Sequence, residues 1–233
     1  MNDFEATKPT RRAVVLLSGG LDSSTVLAWA RAMGRTCFAL SFDYGQRHRI
    51  ELDRATEIAE SLGAVEHRIA SIDLRVFGGS ALTADIDVPK DRIDGHGRSG
   101  PGSEARDIPV TYVPARNTIF LSFALAYAEV RDASEIWLGI NAIDYSGYPD
   151  CRPEYLAAFQ KLSDLATKAG VEGDGPSLVA PLAELSKVDI VRKARSLGVP
   201  IDRTLSCYDP EPEGMPCGRC DSCILRSQAL RDA

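Results

Sequence analysis

A glycine turn between an apolar strand and a helix constrains this chain more than any other feature. The segment Ser-Gly-Gly-Leu-Asp-Ser-Ser at 18–24 follows an apolar run at 13–17 and precedes a helix that starts near Thr25. The apolar run is typical of a buried parallel strand, and the glycines let the backbone approach a ligand closely. Ser23 and Ser24 are expected to cap the helix. Free amides and the positive end of a helix dipole together predict a phosphate-binding turn.

The turn differs from the common nucleotide-binding motifs. It lacks the Gly-Lys-Ser/Thr ending of a Walker A loop and the G-x-G-x-x-G spacing of a dinucleotide fingerprint. Asp22 would repel phosphates unless a magnesium ion lay between them, so the turn predicts ATP with Mg²⁺. The alternative is a plain strand-to-helix turn with a capping aspartate. The predicted nucleotide-binding residues are Leu17, Ser18, Gly19, Gly20, Leu21, Asp22, Ser23, Ser24, Thr25, Val26 and Leu27.

Composition limits the class of protein and its compartment. The chain has 233 residues, of which 44% are hydrophobic and 26% charged, and this suits one large domain with at most an appendage. The net charge of -6 argues against broad contact with nucleic acid. No apolar run reaches the length of a membrane span, and residues 1–12 are predicted to be a mobile tail without a signal peptide. A cytoplasmic protein is expected.

Strands alternate with helices from residue 13 to about residue 200. This alternation predicts an α/β domain with a doubly wound parallel sheet and helices on both faces, in which ligands bind at the carboxyl ends of the strands. The segment 83–107 is rich in Gly, Asp, Arg and Pro, and it is predicted to be a mobile insertion or a lid. The predicted strands after the first are 36–42, 65–70, 135–141 and 177–180.

Two cations occupy the first turns of predicted helices, where the helix dipole disfavours them. Arg116 and Asn117 follow Val-Pro-Ala at 113–115, and Lys187 opens a later helix. A phosphate or carboxylate partner would explain both cations. The alternatives are a structural ion pair for Arg116 and a solvated side chain for Lys187. With Asp22, these two cations are the predicted catalytic residues.

The loop that follows the fourth predicted strand, 142–154, combines tyrosines with carboxylates. Rings stack on a planar base, and a carboxylate can accept both N–H groups of a guanine-like edge. Asp150 is the expected base-reading residue, with Asp144 and Glu154 as alternatives. A polar turn that only caps the following helix, predicted at 154–169, is the other interpretation.

Two aromatic residues at the end of the second predicted strand are further candidate ligand contacts. Phe42 and Tyr44 are expected to flank the ligand, because parallel strands present their carboxyl ends to it. Core packing explains Phe42 equally well. The predicted substrate-binding residues are therefore Phe42, Tyr44, Asn117, Tyr145, Tyr148, Asp150 and Arg152.

Four of the six cysteines lie in one C-terminal stretch. Cys207, Cys217, Cys220 and Cys223 have the spacing C-x9-C-x2-C-x2-C, and overlapping C-x-x-C turns place thiolates around one ion. Four thiolates leave no open position, so the spacing predicts a structural zinc site, with an iron–sulfur cluster as the alternative. The region 201–233 is too small to have much core of its own, and a metal would act as that core.

The glycine turn resembles the PP-loop of N-type ATP pyrophosphatases, which adenylate a substrate and release pyrophosphate. Together with the turn, the segments at 41–48, 113–117 and 146–154 and the four cysteines resemble the 7-cyano-7-deazaguanine synthase (QueC) family of queuosine biosynthesis. The resemblance covers residues 13 to about 228. The family usually has Gly at the position of Ala115, and this departure is expected to have little effect.

The resemblance implies a HUP-like fold and an ATP-dependent ligase reaction that forms a carbon–nitrogen bond. A 7-carboxy-7-deazaguanine would attack the α-phosphate of ATP, and the acyl-adenylate would take ammonia to give an amide. A second ATP would convert the amide into the nitrile. The implied cofactors are structural Zn²⁺ and Mg²⁺, with ATP as co-substrate. The implied partners are small molecules, without membrane or nucleic acid, and a homodimer is expected.

Two other functions fit parts of the sequence. A PP-loop tRNA-thiolating enzyme would share the turn and a cysteine cluster, but the acidic net charge and the closed set of four cysteines argue against it. A nucleotide-binding sensor without turnover would also fit the turn and the tyrosine-rich loop. An assay for the product would distinguish the sensor from an enzyme.

Overall fold

A five-stranded parallel sheet forms the centre of the protein. Its strands are β1 Arg12–Leu16, β2 Thr36–Asp43, β3 Glu66–Ser71, β4 Glu135–Trp137 and β5 Ser177–Val179. The strand order is β3-β2-β1-β4-β5, and all neighbouring strands are parallel. The chain winds outward from β1 first to one side and then to the other, so the predicted doubly wound architecture is confirmed.

The computed structural model describes residues 11–47, 49–92, 108–141 and 147–233. Parts of three predicted regions lie outside the described residues. These are the tail up to residue 10, the insertion at 93–107, and the portion of the tyrosine-rich loop that contains Asp144 and Tyr145.

The α-helices of the described residues confirm the predicted alternation. They are α1 Leu21–Ala32, α2 Ile50–Ser61, α3 Arg116–Val130, α4 Pro153–Ala166, α5 Lys168–Val171, α6 Lys187–Ser196 and α7 Asp221–Asp232. Short 3-10 turns lie at Leu74–Val76, Pro149–Cys151 and Ile201–Arg203. Among the helices described, none has both the length and the apolar character that a bilayer span requires.

The first helix begins earlier than the sequence predicted. α1 starts at Leu21 with Gly20 as its N-cap and without a side-chain cap. Ser23 and Ser24 both donate their hydroxyls to the carbonyl of Gly20, at 3.2 and 2.7 Å. The expectation that these serines cap the helix was therefore wrong. A hydroxyl inside the first turn lies near the preceding carbonyl and not near the free amides.

The fourth strand is shorter than predicted. β4 ends at Trp137, and although Leu138 still donates to the carbonyl of Val179, the chain then passes against the first turn of α1. A Cβ on Gly139 would lie 3.1 Å from the amide nitrogen of Ser23. Glycine allows this close approach, and the strand ladder ends there.

Helices cover both faces of the sheet and separate two cores. Ala13 and Val15 of β1 pack with α1, α2 and α6 on one face, whereas Val14 packs with α3 and α4 on the other. All three side chains are fully buried, and burial of a valine side chain contributes about 1.5–3 kcal/mol. Burial on both faces is the reason that β1 has a continuous apolar sequence.

The C-terminal cysteine region packs against the sheet domain. Cys207, Cys220 and Cys223 belong to the core under α3, and Ala229 of α7 belongs to the opposite core. Contacts with both cores of the sheet domain therefore hold the cysteine region in place, in addition to any metal that it binds.

The first part of the predicted insertion contacts this cysteine region. Lys90 forms an antiparallel bridge with Cys220 and an ion pair with Asp209 at 2.9 Å. Asp91 pairs with Arg219, and its amide donates to the carbonyl of the same arginine. These bonds fix the described start of the segment to the cysteine region.

Candidate active site

A cavity of about 290 Å³ opens at the carboxyl ends of the strands, beside β1 and β4. Ligands bind at this position in doubly wound sheets, because the chain diverges to both sides there. The turn after β1 and the start of α6 form one end of the cavity. The start of α3 and the aromatic residues at the end of β2 form the other end. The loop from Leu205 to Tyr208 closes a further side.

The turn after β1 presents backbone amides to the cavity. α1 has no side-chain cap from its N-cap Gly20, and its first turn lines the cavity, although the amide of Leu21 donates to Ser206 Oγ. Gly19 has a φ of 77°, and a Cβ there would lie 2.6 Å from the carbonyl oxygen of Glu51. Only glycine permits this conformation together with such close packing of α2. The arrangement is suited to phosphate binding.

Part of the predicted nucleotide-binding set faces the cavity, and part supports the turn. Ser24 and Thr25 donate their hydroxyls to carbonyls of the preceding turn. Val26 and Leu27 are fully buried in the core beneath α1, and Gly19 packs against α2. The members that line the cavity are Leu17, Ser18, Gly20, Leu21, Asp22 and Ser23.

Asp22, Lys187 and Asn141 form a cluster at the end of the cavity that the turn after β1 forms. Oδ2 of Asp22 accepts from Lys187 Nζ at 2.5 Å and from Nδ2 of the fully buried Asn141 at 2.9 Å. The lysine offsets the negative charge that Asp22 brings to the turn. Sequence reasoning selected Asp22 and Lys187 but missed Asn141. The one signal for Asn141 was its place just beyond a strand, at the ligand-binding edge.

Arg116 is the cation at the opposite end of the cavity. It is the first residue of α3, and its guanidinium lies 5.8 Å from the centre of the Phe120 ring. Burial alone would lower the pKa of Arg116. The nearby Tyr44 and Tyr148 and the carboxylate of Asp150 outweigh burial and raise this pKa. The guanidinium therefore stays charged and available to an anionic group.

Aromatic rings surround this cation. Phe42 stacks on Phe120 with ring centres 3.9 Å apart, and Tyr44 meets Phe120 edge-on. Phe42 is both a core residue and a cavity-lining residue, so the two interpretations of its role are compatible. Burial raises the pKa of Tyr44 to about 12. The hydroxyls of Tyr148 and Thr111 lie 3.1 Å apart.

Glu51 is a cavity-lining carboxylate that sequence reasoning missed. It lies in the first turn of α2, where an acidic residue is ordinary because the helix dipole favours it. The sequence therefore contained no signal for a role in a site. Burial raises the pKa of Glu51 to about 7, against the opposing effect of Arg116.

Asp150 lies beside the cavity and holds the start of α3. Its Oδ2 accepts from the amide of Asn117 at 2.9 Å, and its carbonyl accepts from Asn117 Nδ2 at 3.1 Å. Asn117 Nδ2 also lies 3.1 Å from Cys151 Sγ. The buried Asp150 borders a smaller cavity that shares Arg116 with the main one. Arg152 is exposed and lines neither of these cavities.

The four predicted metal ligands converge. Their Sγ atoms all lie within 4.8 Å of one another, and those of Cys207 and Cys220 are 4.0 Å apart. Tetrahedral zinc with bonds of about 2.3 Å needs sulfur atoms about 3.8 Å apart, so the set fits one ion. The amides of Asp209 and Cys217 donate to Cys207 Sγ. Hydrogen bonds from Cys207 and Cys223 lower the pKa of Cys220.

The cysteine region is hydrogen-bonded to the turn after β1. The amide of Leu205 donates to the carbonyl of Gly19 at 3.0 Å. Ser206 Oγ accepts from the amide of Leu21 at 3.3 Å and from Arg226. The loop that carries the first predicted metal ligand therefore also supports the turn that would bind phosphate.

The fold and this site define a doubly wound α/β protein with a glycine turn between its first strand and first helix. The fold resembles that of a solved 4-thiouridine synthetase in complex with RNA and bound ATP, with a TM-score of 0.51 and 17% identity. The similarity covers 95% of this chain and 53% of that one.

Within this class, the chain belongs to the family described as "Queuosine biosynthesis protein QueC", which matches residues 12–233. It is 59% identical over 223 residues to a 7-cyano-7-deazaguanine synthase of Desulfatibacillum aliphaticivorans, a match that covers 95% of this chain and 93% of the relative. A 7-cyano-7-deazaguanine synthase of Kineococcus radiotolerans is 60% identical, and the match covers 96% of this chain and 94% of the relative.

Proposed function

We propose that this protein converts 7-carboxy-7-deazaguanine, ammonia and ATP into 7-cyano-7-deazaguanine, the activity for which its relatives are named. The observation that carries the proposal is one cavity with a phosphate-binding turn at one end and a cation among aromatic rings at the other. A carboxylate is a poor electrophile at carbon. Adenylation turns its oxygen into a leaving group, and this step needs both ends of the cavity at once.

The phosphate-binding end favours cleavage between the α- and β-phosphates of ATP. The amides of the α1 start and the Lys187 ammonium would stabilise the charge that develops on the departing pyrophosphate. Asp22 is the residue that would hold a magnesium ion, which would neutralise further phosphate charge when bound. The ion pair between Lys187 and Asp22 neutralises the charge that Asp22 brings to the turn before any ion is present.

The substrate end would bind the acid through its ring and its carboxylate. Arg116 is placed to pair with the carboxylate or with the α-phosphate. The deazaguanine ring would lie against the rings of Phe42, Tyr44 and Tyr148. Asp150 remains the proposed base-reading residue, although one of its oxygens already bonds to an amide of α3. Asn117, Tyr145 and Arg152 remain predicted substrate contacts.

A product assay tests the proposed function directly. The protein is incubated with the acid, an ammonium salt, ATP and Mg²⁺, and the mass of the heterocyclic product and the identity of the nucleotide product are measured. The expected products are the nitrile, AMP and pyrophosphate. ADP as the sole nucleotide product would contradict the proposal, and so would binding of ATP without turnover.

Replacement of Asp22 tests the phosphate-binding end. Asp22→Asn is expected to lower magnesium-dependent turnover by about 10²-fold, since the loss of one charge-stabilising group typically has this effect. The exposed Asp202→Asn is the matched control and should retain full turnover. Equal rates in the two variants would remove Asp22 from the chemistry.

Replacement of Asp150 tests how the base is read. Asp150→Asn is expected to raise the KM for the acid, because the amide cannot accept a pair of N–H donors, and to leave the KM for ATP unchanged. The substitution retains one oxygen that can still accept from the amide of α3. If only the KM for ATP rises, Asp150 belongs to the nucleotide side.

The cysteine site is proposed to hold one structural Zn²⁺ ion. Metal analysis is expected to give one zinc per chain, and Cys220→Ser should lower the yield of folded protein, because the metal joins loop and helix. Cys37→Ser, at a buried cysteine outside the cluster, is the control. Iron with a visible absorption band would contradict zinc, and full stability after metal removal would contradict the structural role.

The proposal includes a cytoplasmic homodimer that acts on small molecules and does not bind nucleic acid. The acidic net charge supports the last point. Sedimentation of the purified protein, with and without RNA, would measure the assembly and any complex. A monomer, or a complex with RNA, would contradict this part of the proposal.

A further inference from the structure

Both halves of the proposed reaction require that protons leave nitrogen at the acyl carbon. When ammonia adds to the acyl-adenylate, the C–N bond forms, the C–O bond to AMP breaks and an N–H proton leaves. The amide then loses two N–H protons, one as its oxygen is adenylated and the other as the C–O bond to AMP breaks and the nitrile forms. A positioned base at this carbon would act in both halves, and such bases typically contribute about 10²–10⁴-fold.

Two carboxylates line the cavity in the described part of the chain, those of Asp22 and Glu51. Asp22 accepts from Lys187 and Asn141 through Oδ2, which commits it to the phosphate-binding end. Glu51 is therefore the carboxylate that remains for proton transfer.

Glu51 lies between the two ends of the cavity. Its backbone carbonyl packs against Gly19 of the phosphate-binding turn. Its carboxylate interacts electrostatically with Arg116 and Tyr44 at the substrate end. The acyl carbon of a bound adenylate would lie between the α-phosphate and the deazaguanine ring, inside the cavity that Glu51 lines.

We infer that Glu51 is the general base of the reaction, the catalytic residue that accepts N–H protons at the acyl carbon when the amide forms and again when the nitrile forms. The inference rests on the proposed function, because it names the base for that reaction. After each transfer the proton passes from the carboxyl group to water, so the same group accepts each of the three protons in turn.

The surroundings of Glu51 suit a base that works near neutral pH. Burial raises its pKa to about 7, and Arg116 opposes this effect. A carboxylate of ordinary pKa would be a weaker proton acceptor. Arg116 faces it from the start of α3, and Tyr44 faces it from the end of β2. The other described charged side chains of the cavity are Arg47, Asp22 and Lys187.

The two half-reactions are measured separately in Glu51→Gln. Exchange of labelled pyrophosphate into ATP, with the acid but without ammonia, reports adenylation. Single-turnover transfer from the adenylate to ammonia, at fixed free ammonia concentration, reports the proton-transfer step. Asp53→Asn is the matched control, because Asp53 is an exposed acidic residue of the same helical turn.

The variant is expected to exchange pyrophosphate at close to the wild-type rate and to transfer to ammonia about 10²-fold more slowly. The wild-type transfer rate should rise with pH through about 7, because only the ionised carboxylate accepts a proton, and this rise should be absent in the variant. Retained exchange shows that the variant is folded.

Three outcomes would overturn the inference. A normal transfer rate in Glu51→Gln would exclude a base at this position. Loss of exchange together with transfer would give Glu51 a structural or binding role. If the wild-type protein shows no acid-dependent exchange, the proposed function itself is refuted. This outcome differs from the other two because the wild type and the control then fail together with the variant.

Discussion

Two glutamates at opposite edges of the sheet, Glu135 and Glu51, show how one side-chain type serves either stability or chemistry. Glu135 opens β4 at the amino edge and accepts four hydrogen bonds, from Arg11, twice from Arg35, and from the indole of Trp137. Burial acts to raise the pKa of Glu135, but these bonds lower it. At the carboxyl edge, burial raises the pKa of Glu51 to about 7.

The difference teaches what distinguishes a structural carboxylate from a reactive one. Glu135 has its oxygens occupied by donors, so it is held in its charged form and has little capacity left for a ligand. Among the described residues, the half-buried Glu51 has no comparable set of donors, so both of its protonation states are accessible near neutral pH. The amino edge is therefore built for stability, and the carboxyl edge gives up stability for function.

The largest expected change in stability comes from replacement of Glu135 at the amino edge. Glu135→Gln should lower the free energy of unfolding by about 3 kcal/mol, since it breaks a buried ion pair and leaves Arg35 without its charge partner. Urea denaturation measures this loss. Asp132→Asn, at an exposed ion pair of the same edge, should cost less than about 1 kcal/mol. Similar losses in the two variants would remove the distinction between buried and exposed pairs.

Replacement of Glu51 at the carboxyl edge should raise the free energy of unfolding, whereas replacement of Glu135 should lower it. The pKa of Glu51 is higher in the folded state, at about 7 against 4.5, so its ionisation destabilises the fold as pH rises through this window. Glu51→Gln should therefore gain about 2 kcal/mol relative to wild type at pH 8, after allowance for solvent screening, and gain nothing at pH 4. Unfolding curves at the two pH values test this, with Asp53→Asn as control. A gain independent of pH would contradict it.

The stabilisation that Glu135 contributes to the fold should be lost as the pH falls. Its pKa is lowered in the folded state, so its stabilisation is present above its ordinary pKa and is lost as pH falls through the folded value. The difference between wild type and Glu135→Gln should therefore shrink on acidification. A constant difference would show that packing, and not charge, is lost in the variant.

A smaller effect is expected at the start of α3. Ala115 has a φ of 54°, in the left-handed region, which costs a non-glycine residue roughly 1–2 kcal/mol. Ala115→Gly should therefore raise the free energy of unfolding by about 1 kcal/mol. Ala126→Gly, at an exposed position inside the same helix, should lower it by a similar amount. If both variants lower the free energy of unfolding, the left-handed conformation of Ala115 is not strained. The expectation that an alanine here has little effect needs revision, because φ is not visible in the sequence.

The sequence by itself determined the elements whose signals are local. The apolar run of β1, the glycine turn after it and the alternation of strands and helices follow from residue spacing, and the sheet agrees with them. The four cysteines were found for the same reason, because a metal knuckle is encoded by the short spacing of Cys217, Cys220 and Cys223. Local misreadings include the early start of α1, and the last helix, α7, was not predicted.

Tertiary structure alone decided which of the polar residues act together. The partners of Asp22 lie 119 and 165 residues away in the chain, and only the sheet order brings them to the same turn. Asp150 was selected for its chemistry, but the fold also bonds it to the start of α3. In the sequence, Glu51 resembles an ordinary acidic residue in the first turn of a helix, because residue spacing indicates only the helix and its dipole. Spacing does not show which distant elements pack over this residue. Burial beneath those elements shifts the pKa of Glu51 towards neutrality.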